Sequence, residues 1–466
     1  MPDKDKDKEK AKSKEKTRGK EKPGKDKSYG DAQDFAAGYP YTYYSRTIKG
    51  EKKHPMLKEH IEADVCIIGG GLAGLAIALG LIERGKKPVV LEGGRIGWGA
   101  SGRNGGFVMA GYAASVSDIT KKVGLQNAKK LYSLTKDSQK LIRKRIDDYK
   151  IDCDPVHGYL KPSWYDVPGE MEKRASFLAE NFGEPVEFWS KDKVREHAIS
   201  EKYHEGMYFP DYFQMHPLNY VQGMGRVITD KGGEIYEDSL AIRVENERAT
   251  TKTVHTEHGS VKAQHIVYCG SGYFNRLETK IKRSCLPIST YVMVTDPVDE
   301  KLLKSAINTP AGIQDTRWSD DYYRILPDKR ILWGGRVGLS QKSPDGDLLD
   351  VMIGDLHKVY PQLESVRPAI AWSGLMGYTV HKMPHIGKMH DGVWYCTNFG
   401  GNGVGPTTAG GEVIAAAIAE GDKTYELFKP FGFAYTGGLL GPLVAQAVYY
   451  SWQFGDFLRE IKHKYL

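Results

Sequence analysis

The chain is poor in the features that announce most functional classes. Its five cysteines, Cys66, Cys153, Cys269, Cys285 and Cys396, are odd in number, scattered and without a CxxC pair. That pattern suits free thiols in a reducing compartment. The fourteen histidines form no HExxH pattern, no Ser/His/Asp or metal-ligand set stands out, and no metal is expected. His54, His60, His157 and His381 read as surface or packing residues rather than metal ligands. No apolar run approaches the ~18 residues needed to span a bilayer, so no transmembrane segment is expected. No signal peptide is visible, and Lys464-Tyr465-Leu466 does not match a peroxisomal Ser-Lys-Leu ending. The expected localisation is cytoplasmic. No internal repeat is present.

Residues 1–28 lack aromatics and almost all apolar side chains. Such a segment cannot bury enough surface to offset chain entropy, and a disordered Lys-rich tail is expected. It holds twelve Lys/Arg and seven Asp/Glu, so it carries +5 of the net +7 and leaves +2 for the body. The interspersed acids argue against tight phosphate binding, so no specific nucleic-acid partner is expected, and against a mitochondrial presequence. A solubilising extension is the simplest reading of the tail. With 466 residues and 40% hydrophobic content, the rest suits a globular protein of two packed domains.

What is present begins at Asp64-Val-Cys-Ile-Ile-Gly-Gly-Gly-Leu-Ala-Gly74. This is a buried strand, a glycine turn and the start of a helix, expected from about Ala73 to Arg84. A second strand, Pro88 to Leu91, ends at Glu92. Gly69 makes the turn, Gly71 lets the backbone approach a pyrophosphate, and Gly74 lets helix and strand pack closely. The helix N-terminus, with Leu72 and Ala73, offers free N–H groups to an anion. Glu92 can accept hydrogen bonds from a ribose diol. The motif predicts an adenine dinucleotide and leaves NAD and FAD both open.

The next segment favours FAD. Gly97-Trp-Gly-Ala-Ser-Gly-Arg-Asn-Gly-Gly-Phe107 carries five glycines just past the second strand. Ala100, Ser101, Arg103, Asn104, Gly105 and Gly106 can wrap a bulky cofactor with main-chain N–H groups. These residues resemble the glycine/D-amino-acid oxidase family of FAD-dependent oxidoreductases, in the branch that contains bacterial gamma-glutamylputrescine oxidase. The resemblance runs from about Tyr43 to the C-terminus. It includes Tyr322-Tyr323-Arg324, Ile331-Leu-Trp-Gly-Gly335, Met383-Pro-His-Ile-Gly387 and Asn398-Phe-Gly-Gly-Asn-Gly403.

The resemblance implies an α/β fold. A Rossmann-type FAD-binding domain is expected from residues 61–150, 205–283 and 367–425. A second, mostly antiparallel β substrate domain is expected from 151–204 and 284–366. A lead-in covers 29–60 and a helical segment 426–466. The alternation in 286–297 and around Tyr322 and Ile331 independently suggests an antiparallel sheet with one face toward a cavity. By resemblance, the backbone of Ala241 touches the adenine and Gly270 lies near the phosphates and ribose. Within the last segment, Val444, Ala447, Val448, Trp452, Phe457 and Leu458 fall at helix spacing. A helix docked on the body is the expectation, and a membrane-surface helix the alternative.

A second glycine loop follows the strand Trp394–Thr397. Gly400, Gly401, Asn402, Gly403 and Val404 lead into a helix through Ile418, with Thr407-Thr408 as expected caps. Helix-terminal N–H groups there suit the N1–C2 edge of a flavin, where reduction places negative charge. In related sarcosine oxidases a cysteine near the counterpart of Gly374–Tyr378 bonds the flavin. No cysteine stands here, so non-covalent FAD is expected. Those relatives also hold a substrate carboxylate with a lysine where this chain has Gly405, which tilts the reading toward amines. Asn402 stands where many relatives carry histidine.

No catalytic dyad is identified. Hydride removal next to nitrogen needs a neutral amine placed over the flavin rather than a strong base. Tyr322, Tyr323, Arg324 and His381 are the candidate substrate contacts. The expected activity is oxidation of a C–N bond in a small-molecule amine, a polyamine derivative or amino acid, with molecular oxygen as acceptor and hydrogen peroxide as product. Two alternatives are a flavin dehydrogenase serving a quinone or carrier, and a flavin-binding scaffold whose basic tail recruits a partner.

Overall fold

The computed structural model describes residues 38–247, 251–274, 277–338 and 346–465. The basic tail and residues 29–37 of the lead-in lie outside the described residues. Five helices position the site: α1 (Leu72–Ile82), α2 (Val116–Asp148), α3 (Pro217–Asp230), α4 (Val404–Glu420) and α5 (Gly441–Tyr465).

The first sheet has at its centre the strand His60–Ile68, whose last four residues are all buried. It pairs in parallel with Pro88–Leu91 on one side and Ser260–Tyr268 on the other. Ser260–Tyr268 in turn pairs in parallel with Trp394–Thr397. An apolar run with no alternation is what a strand covered on both faces requires. Because these strands run the same way, α1 and α4 both begin at the carboxyl edge of one sheet, where such folds place ligands.

Helix α1 is apolar all round and buried from Leu72 through Leu81, as expected for a helix enclosed by protein. It lies against α4 at very close range. A Cβ on Gly411 would stand 2.6 Å from Cβ of Ala76, and one on Gly80 would stand 3.0 Å from Cβ of Ala415. Glycine at these positions brings the two helix N-termini side by side. Charge ties the helices together: Arg145 of α2 donates to Glu83, just past the end of α1, at 2.8 Å and to Glu412, midway along α4, at 2.6 Å.

The second sheet has nine strands. Leu286–Thr295 lies between Pro368–Tyr378 and Ile331–Gly338, and Tyr322–Ile325 follows, all antiparallel. The short strand Gly312–Gln314 then joins Val156–Pro162 in the sheet's parallel pair. Gly206–Gln214 and Phe107–Val108 close the order. The sheet is mostly antiparallel, as expected. Phe107–Val108, Gly206–Gln214 and Pro368–Tyr378 come from stretches expected to serve the cofactor domain, yet they hydrogen-bond in this second sheet. The chain crosses between the sheets at these places, and the large cavity lies there.

Candidate active site

A cavity of about 1540 Å³ runs from the carboxyl edge of the first sheet to one face of the second. At the first end the turn Gly69–Gly71 leads into α1. Gly69 has φ of +116°, which glycine adopts readily. A Cβ on Gly74 would lie 1.9 Å from the Gly69 carbonyl oxygen, so the turn folds back onto the helix only with glycine there. Glu92, at the end of the neighbouring strand, accepts from the N–H of Gly70 at 2.7 Å and of Gly94 at 3.0 Å. Burial holds its pKa above the usual carboxylate range, against these two bonds.

The loop after Glu92 is built around its own side chains. Ser101 Oγ accepts from the N–H of Leu72 at 2.9 Å and caps α1 from a distant part of the chain. Asn104 donates to the carbonyls of Ala100 and Ser101, and its Oδ1 accepts from Gly106 N–H at 2.8 Å. Arg103 is buried, with its guanidinium 4.3 Å from the centre of the Trp98 ring. Its Nε donates to the Trp98 carbonyl and its Nη1 to that of Ser373. Its Nη2 is buried without a hydrogen-bond partner among the described residues, and the residue lines the cavity. Burial lowers the pKa of this guanidinium.

The second helix terminus closes the same cavity. Helix α4 starts at Val404 with Gly403 as its cap residue and no side-chain cap bond. Thr407 and Thr408 were expected to cap it; they sit inside its first turns, and Thr407 Oγ1 donates to the Val404 carbonyl instead. Gly400 has φ of +67°. Asn402 donates to the carbonyls of Ala110 and Gly111, at 3.2 and 3.0 Å, and ties this loop to the far wall. A Cβ on Gly405 would stand 2.6 Å from the Met109 carbonyl oxygen, so no longer residue fits there without a shift.

Of the residues expected at the cofactor, Gly69, Gly71, Leu72, Ala73, Glu92, Ala100, Ser101, Arg103, Asn104 and Gly105 line the cavity. Ala241, Gly270, Gly400, Gly401, Asn402, Gly403 and Val404 line it too. Gly74 and Gly106 stand behind that lining. A Cβ on Gly106 would meet the Met215 carbonyl oxygen at 2.1 Å, so its place is between two backbone segments.

The four expected substrate contacts separate. Tyr322 lines the cavity, accommodated by Gly105 and Gly334, whose Cβ atoms would fall 2.7 and 2.3 Å from its ring. Tyr323 points to the opposite side of the sheet, as strand alternation requires. It stacks on Trp333 at 4.4 Å and bonds the hydroxyls of Tyr203 and Tyr360. Arg324 is covered by Tyr44, donating to its hydroxyl at 3.1 Å and to the Met215 carbonyl at 2.9 Å. His381 is held in a turn beside Thr379 and the Gly432 carbonyl, and burial lowers its pKa.

Asp320 was missed by sequence reasoning. It lines the cavity, and burial pushes its pKa up to about 6, with Lys161 opposing. Gln314 donates to Asp320 through Nε2 and accepts from Tyr159 OH, and all three line the cavity. Two adjacent acids immediately before the aromatic strand at Tyr322 were the available signal.

Residues 64–417 match the family model described as FAD dependent oxidoreductase (DAO). The chain belongs to this family. It is 32% identical over 397 residues to a probable oxidoreductase OrdL of Haemophilus influenzae, covering 83% of this chain and 90% of that protein. It is 31% identical over 416 residues to gamma-glutamylputrescine oxidoreductase of Escherichia coli, covering 88% and 97%. Among solved structures, L-proline dehydrogenase from P. horikoshii superposes with a TM-score of 0.67 at 19% identity, covering 79% of this chain and 96% of that one. Glycine oxidase from Geobacillus kaustophilus gives 0.66 at 19%, covering 80% and 99%. These two likenesses establish the α/β, two-sheet fold.

The cofactor of this FAD-dependent oxidoreductase family member is FAD, and the residues present fit it. The glycine turn, two adjacent helix N-termini and the unpartnered Nη2 of Arg103 offer donors to an anionic, acceptor-rich ligand.

Proposed function

We propose that the enzyme oxidises the C–N bond of an amine to an imine, which water hydrolyses to a carbonyl compound and the released amine or ammonia. Two electrons and two protons leave the substrate and reach molecular oxygen as hydrogen peroxide. Bound FAD supplies the two-electron acceptor next to the substrate carbon. In this assignment α1 faces the pyrophosphate, Glu92 the ribose, Ala241 the adenine, and the Gly400–Val404 loop the ring edge. The absence of a cysteine in Trp372–Tyr378 supports non-covalent attachment.

The observation that carries the amine reading is Asp320. A half-buried carboxylate beside Tyr322 offers a partner for a substrate ammonium in a cavity lined by Phe107, Tyr159, Phe209 and Tyr378 and shared with the Lys161 cation. Gly405, packed on Met109, supplies no carboxylate anchor. The relatives named for gamma-glutamylputrescine and glycine oxidation support amines and amino acids as the substrate class. All five thiols are free and buried, which supports the cytosol as the place of action.

The test is an anaerobic screen of polyamines, acylated diamines and amino acids for loss of the oxidised-flavin absorbance, followed by admission of air. Amines should bleach the flavin, and air should restore it with one hydrogen peroxide per turnover. If amines leave it oxidised while an α-hydroxy acid or NADPH reduces it quickly, the amine assignment fails. Reduction by amines with no response to air would move the acceptor to a quinone or carrier.

A further inference from the structure

Helix α5 is mounted the wrong way round for a soluble protein. Asp456, Arg459 and Glu460 face the body. Asp456 accepts from Tyr165 OH at 2.7 Å and from the N–H of Trp318 and Ser319 at 3.0 Å each. Arg459 pairs with Glu170 at 3.3 Å and lies over the Tyr165 ring, and Glu460 pairs with Lys202 at 2.8 Å. Its apolar residues face outward. Leu443 is 59% exposed, Val444 61%, Phe454 61% and Phe457 55%, with Leu458 and Ile461 continuing the row. Among the exposed positions from Leu443 to Lys462, the polar groups are Ser451, the Tyr450 hydroxyl and Lys462, and none is acidic.

We propose that the outer face of α5, with the adjoining cavity rim, docks on an anionic lipid bilayer, the helix lying in the headgroup plane and the cavity mouth turned to the lipid.

Shape, charge and position each support this occupant. From Leu443 to Ile461 the face runs about 27 Å at 1.5 Å per residue, and at 100° per residue it covers about half of the helix circumference. A helix pairing with a second copy buries a narrow seam, and much of so wide a face would stay wet. A bilayer interface accepts the whole width, with the apolar side sinking roughly 5–10 Å to the acyl boundary. Every acid on the inner side is paired, while Lys462 is exposed and Lys382 lies over the Trp452 ring at 4.5 Å, which leaves positive charge at the edges. No helix among the described residues is long and apolar enough to cross the membrane, so the contact is one of surface lying.

The face is also continuous with the way in. Val444 and Val448 belong both to the exposed row and to the cavity lining. Trp318, Val380, Tyr435 and Leu440 are exposed at the cavity lining together with the cations Lys173, Arg174 and Lys382. A mouth that sets exposed apolar side chains beside cations fits an entrance that meets an anionic lipid surface. The inference is independent of which amine is oxidised.

The test uses full-length holoprotein and vesicles of phosphatidylcholine with or without phosphatidylglycerol. Wild type should sediment with the vesicles, more strongly with phosphatidylglycerol, and its tryptophan fluorescence should be quenched by lipids brominated high on the chain. The double substitution Phe454→Glu and Phe457→Glu should lower the bound fraction at least tenfold at unchanged flavin content. Should the variant lose its flavin, the quenching of wild type decides. The proposal is overturned if wild type stays in the supernatant with both vesicles. It is also overturned if the double variant binds as well as wild type, or if wild type is a dimer that the substitutions convert to a monomer without any vesicle binding.

Discussion

The N–H of Gly70 donates to Glu92 Oε2 at 2.7 Å, joining the turn before α1 to the end of the adjacent strand. The other carboxylate oxygen takes the N–H of Gly94. One side chain thus fixes two loops on the cavity wall before any ligand arrives, and it is the group proposed to face the ribose. Glu92→Ala should weaken FAD binding by roughly ten- to hundredfold, since a hydrogen bond to a charged group contributes roughly 1.5–3 kcal/mol. Gly71→Val should abolish binding. Its first carbon would stand 2.8 Å from Ser101 Oγ, displacing the cap of α1 as well as filling the ligand's space. Titration of apoprotein with FAD, followed by flavin fluorescence, checks both. A Gly71→Val protein with wild-type affinity would place the dinucleotide elsewhere.

Acid precipitation should release intact FAD into the supernatant and leave a colourless pellet. The strand Pro368–Tyr378 carries no cysteine. Cys269 lines the cavity, and burial pushes its thiol well above the usual range, so it is not a ready nucleophile. Yellow colour in the washed pellet would refute non-covalent attachment.

Tyr322 and Tyr323 should respond differently to loss of one hydroxyl. Tyr323→Phe leaves Tyr203 and Tyr360 without their shared partner in the core, and it should cost roughly 1–3 kcal/mol of stability with KM unchanged. Tyr322→Phe should leave stability nearly unchanged and alter KM. Denaturant unfolding and steady-state kinetics separate the two. A changed KM for Tyr323→Phe at wild-type stability would restore it as a substrate contact.

That pair also shows where the sequence stops being legible. Both glycine loops, the turn before α1 and the mostly antiparallel second sheet follow from spacing and composition, because glycine turns and buried strands leave strong local signals. Tyr322-Tyr323-Arg324 offers no phase: three large side chains in a row do not say which one faces the cavity. Packing against Trp333 on one side and room beside Gly105 and Gly334 on the other decide it. For α5, helical spacing correctly finds an apolar stripe. Periodicity alone cannot reveal that Asp456 and Arg459, rather than Phe454 and Phe457, are the residues that hold the helix to the body. Asp320 escaped notice because its importance arises from burial, which brings it beside Gln314 and Lys161.

Asp320 gives the reaction its expected pH dependence. Burial raises its pKa to about 6, so it is neutral at pH 5 and a carboxylate at pH 7. An ammonium substrate gains its partner only in the second state. KM should therefore fall as pH rises through about 6, while kcat rises at higher pH as the bound amine loses its own proton. Stability runs the other way. A carboxyl whose pKa is raised on folding favours the fold while protonated, so this contribution is complete below about pH 4 and is lost as pH climbs through about 6. For a shift of this size it amounts to roughly 2–3 kcal/mol. Asp320→Asn should remove both trends. Its KM should be raised about tenfold or more at pH 7 and nearly constant between pH 5 and 7, and its apoprotein should lose less stability than wild type over that interval. Steady-state kinetics and thermal unfolding across pH 5–8 measure the two effects. A KM that keeps its pH dependence in Asp320→Asn would assign the titration to the substrate or to another group and remove Asp320 from amine recognition.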